Sequence, residues 1–145
     1  MIADLANAGA SPVLEQMMRF TAQRQRLLAH NVANMDTPDF VPLDVSPQSF
    51  QAALRQAVNA RRASGKLDAG EVATFTTREV ERVGNGELRL RAGTSSGNVL
   101  YHDRNNRDFE GMMQDLAENG MAFRVASDLL RREMDVLRVA ISQRV

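Results

Sequence analysis

From Pro12 to Asn34 the apolar and small side chains recur at helical spacing. Leu14, Met18, Thr21, Gln25, Leu28 and Val32 alternate by four and three residues, and Val13, Met17, Phe20 and Leu27 fill the adjoining stripe. That pattern predicts an amphipathic helix. Ser11 is its expected N-cap and Pro12 its first helical residue. The segment has no internal glycine or proline, so propensity agrees with pattern. It should end before Asp36-Thr37-Pro38, because a residue preceding proline avoids the α region.

A second, longer pattern closes the chain. Phe109, Met113, Leu116, Gly120, Phe123, Ser127, Leu130, Met134, Leu137 and Ile141 form an unbroken four-three alternation. This is a heptad seam. Asp108, Glu110, Asp115 and Glu118 lie early in it, and Arg131, Arg132, Arg138 and Arg144 lie late, an order that suits the dipole near the helix ends. Gly111 and Gly120 each weaken the helix by about 1 kcal/mol relative to alanine. A helix of this length is about 50 Å long, whereas a compact chain of this size is only about 40 Å across. Either the helix breaks, with Gly120 as the candidate point, or the molecule is elongated. An elongated molecule leaves apolar seam uncovered, and uncovered seam wants a partner.

Between these ends the pattern changes twice. Pro38, Pro42 and Pro47 cannot all lie inside a helix, so residues 36–47 read as an extended or turning connection. Ser46-Pro47 opens a shorter helix, roughly Gln48 to Arg62, with Phe50, Leu54, Ala57 and Val58 on one side. Glu71 to Val83 is rich in Val, Thr and Phe, and Glu87 to Arg91 alternates. With Gly84-Asn85-Gly86 between them these segments predict a β-hairpin. Ala92 to Asn106 reads as a loop. The fold class expected is mainly α: long N- and C-terminal helices pair as a coiled-coil-like hairpin, with a short helix and a small β-hairpin region between them. The segments are 1–35, the N-terminal helix; 36–107, the turn, short helix and hairpin; and 108–145, the heptad helix.

Composition narrows the function. Lys+Arg is 18 and Asp+Glu is 18, for a formal net charge of +0, which argues against nucleic-acid binding and against a polybasic membrane anchor. The absence of cysteine excludes disulfides, thiolate metal sites and thiol nucleophiles. No apolar run is long enough to insert into a membrane, and residues 1–10 do not read as a cleavable secretory signal. No nucleophile elbow, zinc-protease motif or phosphate-binding loop occurs. His30 and His102 lie far apart; His30, late in the first helix, reads as solvated or capping. Glu79 and Glu81 share a strand face bracketed by Arg78 and Arg82 and read as a solvated charged surface. The methionines of the terminal helices, Met17, Met18, Met112, Met113, Met121 and Met134, read as core packing or as an adaptable surface. No cofactor and no catalytic residue are expected.

The most specific text is Ala22 to Phe40, which contains Asn31-Val32-Ala33-Asn34 followed by Met35-Asp36-Thr37-Pro38-Asp39-Phe40. Asn31 and Asn34 are neighbours on the helix surface. Their amides can satisfy helix-end carbonyls and the incoming loop. Asn34 can adopt the left-handed conformation that ends a helix, and Phe40 can pack back. The segment resembles the N-terminal signature of bacterial flagellar rod and hook proteins, in which a helix ends in Asn-(Ile/Val)-Ala-Asn before a Thr-Pro-Gly-Tyr-like turn. Here Asp39 stands where glycine is usual and Phe40 replaces tyrosine. Ser96 to Val99, Met113 to Asn119, Phe123 to Leu130 and Met134 to Ile141 are similar to the short, proximal-rod type of the flagellar basal-body rod family, which lacks a large inserted domain.

The resemblance implies a structural subunit rather than an enzyme. Its assembly motif would be Asn31, Val32, Ala33, Asn34, Thr37, Pro38 and Phe40. Its assembly seam would be Leu14, Met18 and Leu28 with Phe109, Met113, Leu116, Phe123, Leu130, Met134, Leu137 and Ile141. It implies pairing and stacking of terminal helices into a helical tube that transmits torque across the periplasm, and export through the flagellar apparatus without signal cleavage. The implied partners are other copies, sister rod proteins and the adaptor joining rod to membrane ring. Alternatives are a stand-alone coiled-coil adaptor or export chaperone, and a small enzyme using Glu79 and Glu81.

Overall fold

In the computed structural model the described residues are 10–63, 76–83, 87–94 and 109–142. Among them run, in chain order, α1 (Ser11–Ala33), β1 (Leu43–Asp44), α2 (Pro47–Ala63), β2 (Val80–Val83), β3 (Glu87–Leu90), β4 (Gly93–Thr94) and α3 (Phe109–Ser142). The protein is mainly helical, with long terminal helices packed together and a small hairpin region between them. Five expectations lie outside the described residues: the signal reading of residues 1–9, the strand reading of 71–75, the turn at 84–86, the loop beyond residue 94, and the placement of His102, Asp108 and Arg144.

Helix α1 starts one residue earlier than predicted. Ala10, not Ser11, is the N-cap, and it supplies no side-chain hydrogen bond. Ser11 is helical and buried. Helix α2 starts where Ser46-Pro47 places it: Ser46 Oγ accepts the Ser49 N–H at 3.1 Å, the hydrogen bond expected of an N-cap serine. The Ser46 N–H itself donates to Glu79 Oε2 at 2.9 Å.

Strand β2 pairs antiparallel with β3, Val80 opposite Leu90 and Glu81 opposite Arg89, as the hairpin reading requires. Residues 93 and 94 depart from the loop reading: they form β4, which pairs antiparallel with β1, Leu43 opposite Thr94. A two-residue bridge has no periodicity to read. Glu79 and Glu81 have separate partners. Glu79 turns to Ser46, whereas Glu81 Oε2 meets Arg91 Nη2 at 2.6 Å.

The hydrophobic core lies between α1, α2 and the hairpin. Phe20, Val45, Phe50, Leu54, Ala57, Val80 and Leu88 form it. Val45 and Val80 are 0% exposed and Leu88 1%. Burying each large side chain contributes about 1.5–3 kcal/mol. The Phe20 and Phe50 rings stack at 4.0 Å with an interplanar angle of 5°, joining α1 to α2. Gln23 Nε2 donates to Leu88 O at 2.5 Å, which ties the hairpin to α1.

Helix α3 packs along α1. It runs 34 residues without a break at Gly111 or Gly120, about 51 Å at 1.5 Å per residue. The break considered at Gly120 does not occur. The pair is antiparallel: Ala10 N–H donates to Glu133 Oε1 at 2.9 Å, and Asn119 Nδ2 reaches Thr21 O at 2.9 Å. The acidic start of α3 is present at Glu110, but its last turn holds no basic residue.

Candidate assembly site

The helix end that the sequence singles out is built from side-chain amides. Asn31 is 3% exposed. Its Nδ2 donates to Leu43 O at 2.7 Å and its Oδ1 accepts the Leu43 N–H at 3.2 Å. One amide thus pairs with both polar groups of one residue, as a neighbouring strand would. Asn34 Nδ2 donates to His30 O at 2.8 Å, satisfying a helix-end carbonyl. Both roles match the expectation. Asn34 departs from it in conformation, with φ −110° and ψ 8°, so α1 does not end on a left-handed asparagine.

The left-handed residue comes later. Asp39, at φ 58°, has the positive φ found among the described non-glycine residues. Phe40 N–H donates to Thr37 O at 3.2 Å. Thr37-Pro38-Asp39-Phe40 therefore follows the type II pattern, with proline second and a positive-φ residue third, a place that favours glycine. Phe40 folds back on α1: its ring meets His30 edge-on, centroids 5.7 Å apart. His30 is exposed. Thr37 and Pro38 are exposed, Val32 is half-buried and Ala33 exposed. Asp39→Gly should raise stability by about 0.5–1 kcal/mol, the relief of a left-handed L-residue less glycine's entropy; urea denaturation reads this, and a loss of stability would refute the turn assignment.

The α1–α3 interface has a polar layer. Asn119, 4% exposed, bonds Thr21 O and also Gln25 Oε1 at 2.6 Å. Arg24, likewise 4% exposed, holds Asp44 in a two-pronged contact, Nε to Oδ1 at 2.9 Å and Nη2 to Oδ2 at 2.6 Å. It lies 3.5 Å from Asp115 Oδ1. Burial pulls the Arg24 pKa down, but the hydrogen bond and charge of Asp44, with Asp115 behind, push it above its ordinary value. Arg24 therefore joins α1, β1 and α3. The sequence reading assigned it no role, although it lies three residues after Thr21 and four before Leu28, on the covered face.

Of the predicted seam, Leu14 and Leu28 are buried at 8% and 2% and Met18 is half-buried. On α3 the line turned inward is shifted by one residue. Asn119 and Ala126 are the buried positions, next to the predicted Gly120 and Ser127. Leu116, Leu130, Met134 and Leu137 are half-buried at the edge of this line. Phe109, Met113, Phe123 and Ile141 are exposed. Small and amide side chains permit a close approach of the two backbones that the larger seam residues do not.

A second apolar stripe escaped the sequence reading. Met121, Val125, Leu129, Val136 and Val139 are all exposed, Val136 at 68%. They recur at intervals of four, four, seven and three, so they occupy one side of α3 away from the predicted seam. The period was already explained by the other seam, which masked this one.

Among the described residues no group of three or more metal-ligating side chains converges, and no helix is long and apolar enough to cross a membrane. No family model and no curated protein matches the chain.

Proposed function

We propose that the chain is a structural subunit of the bacterial flagellar basal-body rod, of the short proximal type, and not an enzyme. It assembles through α1 and α3 with copies of itself, with sister rod proteins and with the adaptor at the membrane ring. The product is a helical tube that spans the periplasm and transmits torque, its subunits exported without signal cleavage. The observation that carries this reading is the turn after α1. Asp39 takes positive φ at the position where the rod signature has glycine, and Asn31 and Asn34 lock the helix end before it. The exposed apolar side chains of α3 add support, because a 34-residue helix covered along one line leaves the others open to neighbours. A stand-alone coiled-coil adaptor would share the helix pair but has no need of the turn.

The test is made in cells. The wild-type chain should co-purify with hook–basal bodies. A strain whose sole copy carries Ile141→Glu should lose swimming and yield no assembled rod, since Ile141 is 45% exposed and stands outside the core cluster of the subunit. Absence of the wild-type chain from purified basal bodies would overturn the proposal.

A further inference from the structure

Nothing among the described residues requires glycine at position 120. It stands inside a 34-residue helix, where glycine is the weakest residue after proline. A Cβ added there would meet nothing within 4 Å, so no described neighbour demands its small size. What glycine changes is the chemistry of the residue before it. Asparagine is thermolabile, and an Asn–Gly step is where its side chain is most open to attack by the next backbone nitrogen, because no Cβ shields that nitrogen. Asn31 offers the contrast. It is as deeply buried as Asn119, at 3% against 4% exposure, but Val32 follows it, and the branched Cβ of valine crowds the same approach.

The Asn119 amide is also one that an acid cannot replace. Its Nδ2 donates to Thr21 O at 2.9 Å and to Gln25 Oε1 at 2.6 Å. Both partners are acceptors, and a carboxylate has no proton to give them. Gln25 can turn its amide to present Nε2. The Thr21 carbonyl cannot turn, so two oxygens would stand opposed in a buried contact between α1 and α3.

We infer that Asn119–Gly120 is a site of self-modification, shielded while α3 is helical and packed on α1 and converted irreversibly to an acidic residue when that stretch opens. In the first step the Gly120 backbone nitrogen attacks Asn119 Cγ. The N–Cγ bond forms, the Cγ–Nδ2 bond breaks, and Nδ2 leaves as ammonia with the proton of the Gly120 N–H. In the second step water opens the five-membered imide, its hydroxyl going to one carbonyl carbon and its hydrogen to the nitrogen. Opening at Cγ gives aspartate. Opening at the backbone carbonyl carbon gives isoaspartate, which adds a methylene to the main chain. The helix withholds the first step: it commits the Gly120 N–H to the carbonyl of Leu116, four residues back, and holds the Asn119 backbone away from the angle that ring closure needs. Local opening of α3 removes both restraints, and the product cannot re-form the Asn119 contact. The contact is thus a one-way timer on the release of α3, and it operates whether or not the chain is a rod subunit.

The experiment follows the full chain by peptide mapping, reading the mass change of NH2 replaced by OH at Asn119, in native buffer and in guanidinium chloride, both mildly alkaline. The chain has a second Asn–Gly step, Asn85–Gly86, outside the described residues, and in denaturant the two should convert at matching rates. In native buffer Asn119 should convert at least about tenfold more slowly than in denaturant, because the reaction passes only through the opened population. Gly120→Ala, whose added Cβ enters open space, should keep the fold. In denaturant it should slow conversion at Asn119 by at least about tenfold, with Asn85 unchanged. Asn119→Asp supplies the product directly, and amide exchange along the middle of α3 should then run at least about tenfold faster than in wild type. Should Asn119→Asp not fold, ageing decides: wild type and Gly120→Ala are held in denaturant until Asn85 has converted in both, then returned to native buffer. Aged wild type should have lost the α3 protection that aged Gly120→Ala keeps. Native conversion at Asn119 as fast as in denaturant, Asn119→Asp with wild-type exchange, or equal α3 protection in the two aged chains would each overturn the inference.

Discussion

Replacing Arg24 by methionine should lower the stability of the folded chain by about 3–5 kcal/mol, the range for removing one partner of a buried ion pair. The cost comes from what stays behind rather than from what is lost. Asp44 has a side chain only 20% exposed and would keep its charge without the guanidinium that now meets both its oxygens. Because some water still reaches Asp44, the lower half of the range is expected. Asp115, at 49% exposure, is screened by solvent and adds little. Pairing Arg24→Met with Asp44→Leu should recover most of the loss, since both charges then leave together. Urea denaturation of the single and double variants measures this, and a single-variant loss below about 1 kcal/mol would contradict a buried, coupled pair. The pH dependence has a definite sign. The Arg24 pKa is raised by folding, so its contribution is complete below the unfolded value and is lost only as pH climbs through the higher folded value. The loss lies in strong alkali, and through the neutral range the Arg24 contribution is constant.

Asn31→Ala is expected to cost about 1–3 kcal/mol, because both backbone polar groups of Leu43 lose their partner at once, although Leu43 itself is 39% exposed. Alanine is too short to reach them, and a site 3% exposed admits no easy replacement by water. Asn31→Asp separates the two halves of the contact. Aspartate can still accept the Leu43 N–H but cannot donate to Leu43 O, and it sets an acceptor against that carbonyl. Aspartate should therefore be at least as destabilising as alanine despite its near-identical shape. Amide exchange at Leu43 should accelerate in the alanine variant. An alanine cost within about 0.5 kcal/mol of zero would mean that the strand at Leu43–Asp44 holds without α1.

The features most legible in the sequence are those whose physics is local. The two long helices follow from four-three spacing without interior proline. The start of α2 follows from Ser46-Pro47, and the hairpin from alternation on either side of a glycine-rich turn. The roles of Asn31, Asn34 and Phe40 follow from their distance along one helix and across one turn. What escaped is what depends on fit between distant segments. The line α3 turns toward α1 was read from the largest apolar side chains, yet Asn119 and Ala126 occupy it. Period counting favours greasy residues, whereas close helix contact favours small ones. Arg24 drew no reading because its partner Asp44 lies beyond the helix, and nothing local announces their meeting. The β1–β4 bridge is too short to leave a pattern.

Among the described residues the main core cluster, Phe20, Val45, Phe50, Leu54, Ala57, Val80 and Leu88, draws nothing from α3, whose buried Ala126 packs apart from it. Peeling α3 away would cost the bonds of Asn119 and Glu133 and the Arg24–Asp115 contact, and it would bare the flank of Phe20 and Phe50 that Asn119 and Ala122 border. Helix α1, which gives Phe20 to the core cluster and its other flank to α3, is thus the hinge-pin of the fold: a change along it is felt in both places at once.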